Sequence, residues 1–185
     1  MIKMEKFRLL NESKTEKRLA RLTYSYDALP FYGYVDDFDE ELFLCQQEDD
    51  YQLDGYHVRR ISLLKKIEIL NDLESEINEW NGVTAQVSNP GLDLTSWKTF
   101  FEAMKAYEGF MIVEDEVKGY FSVGYLRDIG EKGIILDDFN ENGIFYPDDP
   151  RMIPYDSITH VAWDTRYCRN WYGFLKVREE SEGML

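Results

Sequence analysis

Hydrophobic residues recur along the chain in short runs with a period of about two, separated by turn-forming residues. In the first half FYGYV (31–35), LFLCQ (42–46), GYHVR (55–59) and KKIEIL (65–70) read as strands. In the second half GFMIV (109–113), GYFSVGYL (119–126), GIILD (133–137), GIFY (143–146) and ITHVAW (158–163) do the same. Asp54-Gly55 and Asn142-Gly143 are dipeptides that accept positive φ, so both predict hairpin turns. Helical spacing appears in fewer places. Trp97, Phe100, Phe101, Met104 and Tyr107 follow a capping Thr95 or Ser96 and predict a helix over 95–107 with its apolar stripe turned to the core. Leu73, Ile77 and Trp80 predict a shorter helix closing the first half. Residues 7–26 support two readings: Phe7, Leu10 and Leu19 suit a helix, whereas Leu22, Tyr24 and Tyr26 alternate as a strand.

The chain is also similar to itself. Residues 33–40, GYVDDFDE, align with 124–131, GYLRDIGE, and DDYQLDG (49–55) aligns with DDFNENG (137–143). This spacing predicts an internal duplication with a unit of about 90 residues. The turn signals at 81–82 and 88–91 place the boundary, giving units 1–90 and 91–185. A leading helix followed by about five short strands is the order of a small barrel. The expected fold is therefore mainly β with short helices (α+β), as two small SH3-like or Sm-like barrels.

Residues 33–44 resemble the first motif of the Sm-like family, through Gly33, Val35, Phe38 and Asp39, and residues 57–69 are similar to its second motif. The resemblance implies a small barrel. It does not extend to the family's RNA-binding residues: Phe43 stands where an asparagine is expected, Arg60 follows Arg59 where a glycine is expected, and Gly130 replaces the aspartate in the second unit.

Composition narrows the function classes. Hydrophobic residues make up 44% of the 185 positions and aromatic ones 15%, enough for a folded core. The net charge of −15 is evenly spread, with 11 basic and 18 acidic groups in residues 1–90 and 10 and 18 in the remainder. Such a field opposes general nucleic-acid binding, which depends on cationic neutralisation of phosphates. Residues 1–22 are the exception, with seven basic and three acidic groups. They read as a solvated helix face or, as the alternative, a docking surface. No run approaches a membrane span or the apolar core of a signal peptide, so the expected location is cytoplasmic. Cys45 and Cys168 stand in unrelated contexts and give no metal spacing.

Candidate chemistry is sparse. Asp138, Asn140, Asn142 and Asp149 match part of a calcium-loop pattern, but strand-like segments flank them and no glutamate closes the loop, so a hairpin is the expected reading. His160, Cys168 and Asp164 could be arranged as base, nucleophile and orienting group, yet no nucleophile elbow or phosphate-cradling loop accompanies them. The acid pairs Asp36-Asp37 and Asp148-Asp149 read as solvated turn residues. No cofactor and no catalytic residues are expected. The reading is a non-catalytic protein-interaction module whose partner is another protein, with an acidic inhibitor or immunity-type protein as one form. Tyr167, Trp171 and Tyr172 are its candidate contact residues. An Sm-like RNA binder and a calcium-binding loop protein are the alternatives.

Overall fold

Ten strands form one antiparallel sheet in a computed structural model that describes residues 3–27, 29–146 and 151–182. The first half contributes β1 (Leu19–Tyr24), β2 (Phe31–Phe38), β3 (Leu42–Glu48), β4 (Leu53–Arg60) and β5 (Leu64–Ile69). The second contributes β6 (Met111–Asp115), β7 (Tyr120–Ile129), β8 (Gly133–Asp138), β9 (Arg151–Pro154) and β10 (His160–Trp163). The helices are α1 (Lys3–Glu16), α2 (Leu73–Trp80), α3 (Val83–Gln86), α4 (Trp97–Ala103) and α5 (Arg166–Glu182). No described helix is long and apolar enough to cross a membrane.

The strand order, β5-β1-β2-β3-β4-β10-β6-β7-β8-β9, corrects the expectation of two closed SH3-like or Sm-like barrels. A barrel requires a sheet whose two edges meet. Here β5 and β9 are outer strands, and β4 instead pairs with β10 through four registered residue pairs, from His160↔Arg59 to Trp163↔Tyr56. The halves are thereby joined into one open sheet, and the inference of two duplicated barrels falls with the closure. Periodicity could not have shown this, because alternation identifies the buried face of a strand and says nothing about which strand occupies its edge.

What the self-similar stretches share is local. A Cβ added at Gly33 would lie 2.6 Å from the Gln46 carbonyl oxygen, and one at Gly124 would lie 1.9 Å from that of Asp137. Both glycines thus let a neighbouring backbone come close. Register irregularities follow at Val35/Asp37 and Leu126/Asp128, where each strand bends.

The sheet is covered on both faces. On one, Leu42, Leu44, Val58, Met111, Val113, Val161 and Trp163 pack against Trp97, Phe100, Phe101 and Met104 of the α4 segment. Ser96 caps α4, its hydroxyl accepting from the Thr99 N–H while the Thr99 hydroxyl accepts from the Ser96 N–H. On the other face α1 covers a cluster containing Leu10, Leu22, Phe43 and Cys45, and α5 covers a second one containing Ile112, Ala162, Cys168 and Leu175. The segment left open between helix and strand readings is both: a helix to Glu16, a turn with Lys17 at φ 49°, then β1. The basic charges of residues 1–22 are largely engaged there, with Arg8 and Arg18 on Glu12, Lys14 on Asp37 and Arg21 on Glu68.

Candidate functional site

Between the areas covered by α1 and α5, the central strands carry charge on the same face. The row Phe43, Arg59, His160, Glu114, Phe121 runs in register across β3, β4, β10, β6 and β7. His57 lies two residues from Arg59 on β4, so its side chain emerges on that face as well. Arg59, His57 and His160 are all buried.

These side chains form a connected network. Asp54 contributes its backbone carbonyl, 3.1 Å from His57 Nε2. His57 Nδ1 lies 2.9 Å from His160 Nε2, with the two rings nearly parallel, and His160 Nδ1 lies 2.5 Å from Glu114 Oε2. Beside this chain the Arg59 guanidinium donates to Glu116 Oε1 at 2.5 Å and to the Tyr26 hydroxyl at 2.8 Å. It also stacks over the Tyr24 and Phe31 rings. Thr159 holds the turn after β6, its hydroxyl accepting from the Glu116 N–H and donating to the Glu114 carbonyl.

Elementary hydrogen-bond logic fixes the polarity of the chain. A carbonyl oxygen only accepts, so His57 Nε2 carries the proton facing Asp54. Burial, and then the charges of His160 and Arg59, hold the His57 pKa well below its usual range; burial and Arg59 do the same to His160. Both rings are therefore neutral. His57 Nδ1 accepts from His160 Nε2–H, and His160 Nδ1 faces Glu114 Oε2. One proton is shared across this 2.5 Å contact, and burial, by raising the Glu114 pKa, favours its place on the carboxyl side. The arrangement can hold one proton between a carboxyl and a pair of imidazoles, or take a cation in its place.

The calcium-pattern residues lie elsewhere. Asp138 accepts from the Ser122 hydroxyl, and Asn140 Oδ1 is occupied by the N–H groups of Asn142 and Ile144. The Phe139↔Phe145 bridge closes this turn after β8. Asp149, with Asp148, falls outside the described residues.

Tyr167, Trp171 and Tyr172 all belong to α5, a helix that the strand-like spacing of the second half did not foreshadow. Tyr172 packs inward on Phe110 and Tyr125. Tyr167 and Trp171 instead join Phe121 and Phe174 in a continuous aromatic strip, with successive ring centroids 6.0, 6.4 and 6.4 Å apart. Phe121, Tyr167 and Phe174 are 49%, 45% and 60% exposed. A groove of about 290 Å³ beside the strip is lined by Tyr167, Trp171, Phe121, Asp138 and Glu141.

The triad considered from sequence does not read as assembled. Cys168 is buried in the apolar cluster under α5, and burial raises its thiol pKa, the opposite of an activated nucleophile. His160 turns away toward Glu114 and His57. Sequence reasoning gives neither His160 nor His57 an established role and passes over Glu114 and Glu116; the available signal was a histidine heading the strand HVAW and a glutamate following Met, Ile and Val on β6. Comparison with protein-family models, with curated proteins and with solved structures returned no match.

Proposed function

We propose that this protein is a non-catalytic interaction module of the cytoplasm that presents the strip Phe121, Tyr167, Trp171 and Phe174 to a basic protein partner. The observation that carries the reading is a strip of four contiguous aromatic rings, three of them exposed and Trp171 half-buried, since large exposed apolar patches on a folded protein mark contact surfaces and aromatics dominate their energetics. Charge supports the choice of partner. A net charge of −15 steers basic proteins toward the molecule, and Asp138 and Glu141 beside Tyr167 and Trp171 suit an inserted lysine or arginine through ion pairing and ring stacking. An inhibitor or immunity-type protein is one form of such a module.

The test is parallel capture from a lysate of the source cell on wild type and on the double variant Tyr167→Ala/Phe174→Ala, followed by mass spectrometry. The expected result is a basic protein retained by wild type, released by high salt and absent from the variant. Identical captures would remove the strip from the function. Tight, salt-sensitive binding of single-stranded RNA in a fluorescence titration would contradict the choice of a protein partner.

A further inference from the structure

The hydrogen-bond chain ends at a buried nitrogen, His160 Nδ1, that faces two carboxyl groups. His160 Nδ1, on a side chain only 6% exposed, lies 2.5 Å from Glu114 Oε2 and 3.8 Å from Glu116 Oε1. A nitrogen and a carboxyl oxygen at this separation are joined by a proton, whose place a metal cation can take. We infer that Glu114, Glu116 and His160 form a binding site for one divalent first-row metal ion of the Mn²⁺, Fe²⁺ or Zn²⁺ class, which takes the place of the proton between His160 and Glu114.

Four features support the assignment. One ligand atom from each of the three residues lies within 4.8 Å of the others, a spread that small side-chain adjustments contract to a coordination shell. The ligands stand on β6, β10 and the turn pinned by Thr159, so the central strands of the sheet position them. His57 holds the remaining N–H of His160 and is itself held by the Asp54 carbonyl, the outer support that a ligating imidazole requires. Finally, the Glu114 and Glu116 side chains are 23% and 16% exposed, which leaves a solvent side for entry and for water ligands.

Charge sets the strength and the ion class. Two carboxylates face one guanidinium, so the cluster lacks one positive charge, which a proton supplies and a divalent ion exceeds by one. Arg59 on Glu116 opposes the cation and keeps the affinity moderate. One imidazole with two carboxylates suits borderline ions rather than Ca²⁺, which takes six to eight oxygens. Binding displaces the proton shared by His160 and Glu114 to solvent, so apparent affinity rises with pH.

Calorimetric titration of the full chain with ZnCl₂ and with MnCl₂ at three pH values tests the site. One saturating equivalent with release of about one proton is expected. Glu114→Gln should weaken binding at least tenfold without loss of fold, because its amide N–H can donate to His160 Nδ1; Glu116→Gln is the second variant. The echo-detected spectrum of bound Mn²⁺ should show modulation from an imidazole nitrogen, a readout that needs no variant. Absence of saturable binding, absence of that modulation, or wild-type affinity in both variants would overturn the site. Loss of binding in Asp138→Ala with retention in Glu114→Gln would move the ion to the surface turn and overturn it equally.

Discussion

The same three strands, β4, β10 and β6, present two different faces. On one, Val58, Val161 and Val113 stand in register beneath α4 and are fully buried. One residue along, on the other face, the row reads Arg59, His160, Glu114, and beside it stands His57. The first face joins the two halves of the sheet by excluding water, a force with no directional demand. The second joins them through hydrogen bonds and charge, which cost free energy unless every partner is in place. A seam between halves can therefore be held by burial alone. The four polar side chains on its other face are the ones that the proposed ion site would use or support.

The largest expected effects fall on both faces and differ in how they can be repaired. Phe101→Ala should cost about 3–5 kcal/mol, since Phe101 is fully buried between α4 and the sheet. Arg59→Ala should also cost about 3–5 kcal/mol, because it leaves Glu116 partly buried and unpaired. Adding Glu116→Gln to Arg59→Met should restore most of the loss. Chemical denaturation of these variants beside Lys105→Ala checks the contrast, and an irreparable Arg59 variant would make the charged face a structural necessity.

A smaller effect is expected at Asp36 on β2, which is buried with one carboxyl oxygen lacking a hydrogen-bond partner. Burial pushes its pKa up from an ordinary 3.8 to about 8, Lys17 opposing. The folded state thus keeps a proton that the unfolded chain has released, so the contribution of Asp36 to stability is largest below about pH 4 and declines as pH rises to about 8. Asp36→Asn should stabilise the protein by about 1–3 kcal/mol at pH 8 and change little at pH 4. Thermal melts at the two pH values read this directly. A gain that is the same at both would mean that the proton plays no part.

The smallest effect concerns the turn after β8. With Asp138 and Asn140 engaged internally, millimolar calcium should leave the melting temperature unchanged. A dose-dependent rise abolished by Asp138→Ala would restore the calcium reading.

How much of this was written in the sequence depends on the kind of information each feature needs. Alternation located β2, β3, β4, β7 and β8 to within a few residues, and the stripe Trp97, Phe100, Phe101, Met104 identified α4, because both signals are local. β9 escaped, being four residues with a single buried apolar side chain, and α5 escaped because its aromatics were read as surface contacts rather than as one helical face. The pairing of β4 with β10 was illegible for a deeper reason. His57 and His160 are 103 positions apart, and no pattern within either strand specifies the neighbour on its edge. The charged seam was invisible for the same reason, since Glu114 acquires its meaning only when His160 stands beside it.

The account turns on the direction of the chain from Asp54 through His57 and His160 to Glu114, and imidazole nitrogen NMR of the chelator-treated protein reads that direction atom by atom. Protonated Nε2 and bare Nδ1 on both histidines at neutral pH are the predicted result. A proton found on His160 Nδ1 would reverse or ionise the chain, remove the lone pair from between the carboxylates and contradict the reading of the seam.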